Sequence, residues 1–288
     1  MSLSRRRQLL PYLLLAPGLL WLTVFFLIPA LNQLNVSLWS GTPETGQSFD
    51  WNWSNYTEAL SDYNEHIFRS LIYAGAATLL AFVIAFPLAY FIAFKASSRL
   101  KPLLLLLIIL PFFTSYLVRT NAWQTILADD GWIVNSLQTV GILGEDGRLL
   151  ATSTAVITGI TYNFLPFMAL PLYVSLEKID KRLIEAATDL YAGRFTAFRK
   201  VTMPLALPGI FAGSLLTFIP AVGDFINAQF LGTSRQYMIG NVIQSKFLVT
   251  TDYPTAAALS FMLMGVILVA VFTYAKLLGA RNLTEAAV

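Results

Sequence analysis

The chain has 288 residues, of which 56% are hydrophobic and only 12% charged, about half the charged share of a soluble globular protein. The 19 Lys and Arg, 16 Asp and Glu and one His leave a net charge of +3, and these charges cluster between long apolar runs, so they cannot cover a water-exposed surface. That excludes a disordered chain, a fibrous repeat and a nucleic-acid-binding domain. With no cysteine and only His66, it also excludes a disulfide framework, a thiolate nucleophile and a His-rich metal site. What remains is an all-α, multi-pass membrane protein in contact with the lipid bilayer.

A hydrocarbon core about 30 Å thick needs about 20 residues of helix, and six segments supply them: 10–31, 68–94, 102–120, 152–176, 204–231 and 255–278. The first follows Arg5-Arg6-Arg7, as a signal peptide would. Its apolar run extends to Leu31 and no A-x-A site closes it, so it reads as an uncleaved membrane helix. The loop behind it carries Glu44, Asp50, Glu58, Asp62 and Glu65 and no Lys or Arg. Trp39, Trp51, Trp53 and Tyr56, with Trp123 and Trp132 further on, suit the boundary between headgroups and tails.

Pro87, Pro111, Pro166, Pro171, Pro208 and Pro220 interrupt the spans. Each removes a helix hydrogen bond, which serves ordinary kinking or a helix that lines a pathway. In the third and fourth spans Tyr116, Tyr162 and Phe164 lie beside prolines or polar residues. Such rings attract an ammonium group by about 0.5–2 kcal/mol each, or simply pack between helices. Trp123 and the pair Asp129-Asp130 follow the third span, either as a solvated acidic turn or as a place that draws in a cation or seats a partner. The Gly-rich stretch 141–147 is acidic and reads as a turn. No G-x-x-x-x-G-K-[ST] occurs, so no phosphate cradle is present in the sequence.

Segment 177–203 differs from every other loop. Ile179, Leu183, Ala186 and Ala187, and Leu190 recur at helical spacing, and Lys181 and Arg182 stand one turn before Glu185. The pattern predicts a short amphipathic surface helix whose two ends run into membrane helices. It is either a lever that a partner can grip or a helix resting on headgroups. In the fifth span, Asp224 within Pro220-Ala221-Val222-Gly223-Asp224-Phe225 is an ionisable group at membrane depth. Three readings stay open: contact with a cation in transit, capping of a half-helix broken at Gly223, and a place at the interface.

Orientation follows from the basic residues. With both termini in the cytoplasm, most of the 19 Lys and Arg fall on the inner side, among them Lys95, Arg99, Lys101, Arg194, Arg199 and Lys200, and the acids lean outward.

Glu185-Ala186-Ala187, then Ala192 to Lys200, then Val201-Thr202-Met203-Pro204 resembles the EAA loop of ABC-importer permeases. Tyr191 stands where that pattern has Gly, and Met203 where it has Leu. Leu165-Pro166-Phe167-Met168-Ala169-Leu170-Pro171-Leu172-Tyr173, Pro111-Phe112-Phe113-Thr114-Ser115, Gly240-Asn241-Val242-Ile243 and Asp252-Tyr253-Pro254 are similar to spermidine/putrescine permeases of the PotB type. The resemblance implies a type I (MetI-like) transmembrane domain over 67–278, preceded by a helix and extracytoplasmic loop over 1–66 and followed by a cytoplasmic tail over 279–288.

It further implies a prokaryotic cytoplasmic-membrane subunit that imports polyamines or related small cations by alternating access. This chain would bind no cofactor, ATP and Mg²⁺ being held by two cytoplasmic ATPase subunits. A second permease, a different chain, and an extracytoplasmic solute-binding protein would complete the assembly. Glu185, Ala186, Ala187, Asp189 and Leu190 would meet the ATPase, and Asp224, Tyr162, Phe164, Tyr116, Trp123 and Asp130 would serve the pathway. A permease for another small solute and a stand-alone secondary transporter are the alternatives. A membrane-embedded enzyme would need a cluster of catalytic groups that one His and one intramembrane acid do not make.

Overall fold

The structure, a computed structural model, describes residues 14–144, 146–189, 191 and 193–278. Arg5, Arg6, Arg7, Leu190 and the tail expected at 279–288 lie outside these residues. In chain order the helices are α1 (Leu14–Ser37), α2 (Ser54–Lys95), α3 (Leu100–Phe113), α4 (Tyr116–Ile126), α5 (Trp132–Thr139), α6 (Ser153–Glu177), α7 (Lys181–Asp189), α8 (Arg194–Leu205), α9 (Leu207–Val222), α10 (Ile226–Leu231), α11 (Ile239–Leu248) and α12 (Tyr253–Lys276). A hairpin of β1 (Trp39–Ser40) and β2 (Ser48–Phe49) joins α1 to α2, with Trp39 opposite Phe49. Among the described residues α1, α2, α6 and α12 are each long and apolar enough to cross a membrane, and counting each of the bent pairs α3–α4 and α8–α9 as one span brings the candidates to six.

Two of the six are broken near prolines that interrupt them. The third turns through 96° between Phe113 and Tyr116. Pro111 draws its last turn into a 3-10 helix, and Thr114 and Ser115 are extended. The fifth bends by 63° at Ala206, between Pro204 and Pro208. It then stops at Val222, and a separate helix, α10, begins at Ile226. Proline cannot donate the next helix hydrogen bond, so the chain yields at these points.

The chain divides into two compact units, one formed by residues up to Asp62 with Ile243–Met264, the other by Tyr63–Val242 with the residues from Gly265 onward. In the first, the opening turn of α2 closes the end of α1. Asn55 Nδ2 donates to the carbonyls of Ser37 and Trp39 at 2.9 and 2.8 Å, and Ser37 Oγ meets Tyr56 Oη at 2.6 Å. The carbonyls left unpaired where α1 ends thereby gain partners. Trp51 and Trp53, two of the aromatic residues expected at the boundary, are exposed.

In the second unit, α2 from Leu71 to Phe94 is apolar on nearly every side, so hydrophobicity alone does not say which face turns inward. Size does. Ala74, Ala77, Ala81, Ala85, Ala89 and Ala93 recur every three or four residues and are buried, whereas Leu79, Leu80, Val83 and Ile84 are exposed. The lower part of this alanine face, with Phe86, packs against Met168, Ala169, Leu172 and Leu176 of α6. Where lipid is as apolar as leucine, close backbone approach at small residues is what holds helices together. The α6–α9 contact uses the same device: a Cβ on Gly209 would lie 2.4 Å from Ser175 Cβ, and one on Gly213 would lie 2.9 Å from Met168 Sδ.

Gly209→Val would therefore push α9 off α6. We expect a loss of about 1–3 kcal/mol, the usual penalty for overpacking, read as a lower thermal midpoint of the purified protein in detergent.

Candidate functional site

The break in the fifth span sets the site. With α9 ended, the backbone N–H groups that open α10 need an acceptor in surroundings that exclude water. Asp224 supplies it: its Oδ1 accepts the backbone N–H of Asn227 at 2.8 Å. Its Oδ2 accepts Asn227 Nδ2 at 2.8 Å and the hydroxyl of Tyr116. Asn227 Nδ2 also reaches Tyr116 Oη at 2.7 Å. Asn163 of α6 adds to the network, its Nδ2 donating to Asn227 Oδ1 at 3.2 Å and to Thr120 Oγ1 at 3.4 Å. Asp224 is 6% exposed, and Asn227, Asn163 and Thr120 are still more buried. A carboxylate at this depth is tolerable because three donors converge on it.

Rings adjoin the knot. Tyr116 and Phe164 have centroids 6.2 Å apart, Phe164 and Phe167 6.1 Å, and Phe167 and Phe112 5.2 Å. The guanidinium of Arg119 lies 4.8 Å from the Phe112 centroid and 5.5 Å from that of Tyr116. Trp123 and Tyr162 form a separate edge-to-face pair at 5.3 Å. Of the expected pathway residues, the structure thus joins Asp224, Tyr116 and Phe164, sets Trp123 with Tyr162, and leaves Asp130 exposed on the loop before α5. Sequence reading missed Asn227, Asn163, Thr120, Arg119, Phe112 and Phe167. A polar residue in an apolar run is a signal for the first three, but it does not say which partners they meet.

The second place of interest is α7. Asp180 starts it, its Oδ1 accepting the N–H of Arg182 at 3.0 Å. Ile184 packs against the core of α2 and α6 beside the buried Ile179. The inward side of α7 is therefore Ile184 with the half-buried Ala187. Leu183, which the sequence places on the apolar stripe, is 50% exposed, because Ile179 precedes the helix rather than continuing its face. Glu185, Ala186 and Asp189 are exposed. Below α7, Phe198 stands edge-on to Phe86 at 5.5 Å, and Lys101 of α3 pairs with Glu177 at the end of α6 at 2.8 Å, so the third and fourth spans are fastened just before α7 begins.

Residues 85–278 match the family described as binding-protein-dependent transport system inner membrane component. The chain belongs to that family. It is 39% identical over 255 residues to the spermidine/putrescine transport system permease protein PotB of Haemophilus influenzae, covering 88% of this chain and 89% of that one. It is 37% identical over 265 residues to the PotB protein of Escherichia coli K12, covering 91% and 96%. A crystal structure of a bacterial alginate ABC transporter in complex with an alginate pentasaccharide-bound periplasmic protein contains a chain with the same fold. The TM-score is 0.72 at 19% identity, covering 98% of this chain and 97% of that one. The fold is thus that of a type I importer transmembrane domain, MetI-like, and the chain is an inner-membrane component of a transport system that depends on a binding protein.

In this family member Tyr191 occupies the position where the EAA pattern has Gly, and its φ is +59°. The left-handed turn that ends α7 is therefore kept without the residue that adopts it freely. The ring is 99% exposed and repays nothing by packing within the chain. Tyr191→Gly is expected to stabilise the end of α7 by about 1 kcal/mol, seen as slower hydrogen exchange of the α7 amides.

Asp224→Asn puts an amide nitrogen where Oδ2 accepts two donors, so one buried donor is left unpaired at about 1–3 kcal/mol. The expected result is a lower thermal midpoint for the permease, with Asp224→Ala lower still because it also strips the cap from α10.

Proposed function

We propose that this chain is the permease of an ATP-driven importer that moves spermidine, putrescine or a related small cation across the cytoplasmic membrane. The observation that carries this reading is identity at 37–39% to PotB permeases across about nine-tenths of the chain. The buried carboxylate of Asp224 beside Tyr116 and Phe164 has chemistry in keeping with it. A negative charge and electron-rich ring faces attract an ammonium group, and several weak contacts release a solute that one tight site would hold.

In this reading both termini are cytoplasmic, and so is α7. Two ATPase subunits grip its exposed side, Glu185 making a polar contact and Ala186 allowing close approach. Asp189, also exposed, extends the same surface, and Leu190 is assigned to the ATPase contact with it. ATP and Mg²⁺ stay on those subunits. A second, different permease chain completes the membrane pathway, and a solute-binding protein delivers the cargo from the opposite side. Asp130 and Trp123 belong to that side. ATP binding draws the ATPase pair together, α7 moves, and because its ends lead into α6 and α8, the pathway changes the side to which it opens.

Glu185→Arg reverses a charge on the gripped surface without touching the packing of Ile184. ATP-driven uptake of labelled spermidine by the reconstituted complex should fall by about tenfold or more, the effect of a coupling loss near 1.4 kcal/mol. The variant should insert into the membrane as the parent does. Undiminished uptake would sink the role given to α7.

A further inference from the structure

Arg119 has no role in the reading above, yet its setting is unusual. It is 8% exposed, and its Nε and Nη1 are buried without a hydrogen-bond partner among the described residues. It forms no ion pair there with Asp224. A guanidinium with two buried nitrogens left without an acceptor is unfavourable. What faces it instead is a chain of rings, with Phe112 and Tyr116 under its guanidinium and Phe167 and Phe164 linking those two. The hydroxyl of Tyr116 is bound to the Asp224 carboxylate, so the ring that holds the cation is itself held by the only acid in the knot. A set of aromatic faces arranged over an internal cation has the shape and electrostatics to hold an external one.

We propose that Arg119 is a built-in competitor, occupying through its own guanidinium the aromatic site that takes the amine or guanidine group of a cargo cation in transit. Cargo displaces Arg119 from Phe112 and Tyr116. When no cargo is present, the tethered cation fills the site, so free cations of the medium are not drawn into it. The inference rests on the cationic-cargo reading for its cargo, but not for the chemistry of the site.

The test uses the purified complex in detergent and two probes, methylguanidinium and spermidine, with binding followed by calorimetry. Methylguanidinium should bind Arg119→Gln about tenfold more tightly than the parent, since a competitor has been removed. Arg119→Lys, which keeps a cation, should bind like the parent, and Phe112→Leu added to Arg119→Gln should abolish the gain. Equal affinity of the parent and Arg119→Gln for methylguanidinium would overturn the proposal. A second measurement needs no variant: modification of Arg119 by phenylglyoxal, read by mass spectrometry, should quicken when spermidine is added, and an unchanged or slower rate counts against displacement. If spermidine is carried but methylguanidinium does not distinguish the two proteins, the competitor is wrong and the cargo reading stands. If methylguanidinium distinguishes them while spermidine is neither bound nor carried, the competitor stands and the cargo reading fails.

Discussion

A charge and an interrupted helix are each unfavourable where water is excluded, and in this chain Asp224 answers for both. One carboxylate oxygen accepts the backbone N–H of Asn227 in the first turn of α10, and the other gathers the Asn227 amide and the Tyr116 hydroxyl. Three segments meet there: α10 through its cap, α4 through Tyr116, and α6 through Asn163 bonded to Asn227. That convergence ties the turn after Val222 to the helix that follows the sharp turn before Tyr116. The aromatic groups are placed by the same anchor, since Tyr116 carries both the hydroxyl bound to Asp224 and the ring beneath Arg119.

Around this knot the helices are sorted by side-chain size rather than by polarity. The alanine face of α2 and the paired Gly209 and Gly213 of α9 are the places where backbones come close. Leucine, isoleucine and valine on the opposite face of α2 are exposed. The arrangement gives α6 neighbours along much of its length, and α7 follows directly from the end of α6. α7 thus follows from a helix that packs on the core of α2 and along α9.

The likeness to the alginate transporter shows how far the fold reaches without naming a cargo. At 19% identity the same architecture belongs to a system crystallised with an acidic polysaccharide on its periplasmic protein. The proposal of polyamine transport rests instead on similarity that runs through nearly the whole chain. Tyr191 illustrates the difference between a pattern and a conformation. The residue departs from the glycine of the EAA pattern, yet its own backbone is left-handed, with φ +59°.

The amino-acid sequence by itself determined the membrane class, the six apolar segments and the short polar helix between the fourth and fifth, because these depend on run length and local periodicity. It also singled out Asp224, Tyr116 and Phe164, since a charge or a ring beside proline is conspicuous in an apolar run. Only the tertiary structure decided that the third span turns through 96°, that the fifth ends at Val222, and that Ile184 rather than Leu183 seats α7. It alone placed Arg119 over Phe112 and Tyr116. Partners such as Asn163 and Asn227 lie 64 positions apart in the chain, and no local spacing encodes which buried polar group will satisfy another. That choice is made when the helices pack and each donor must find an acceptor away from water.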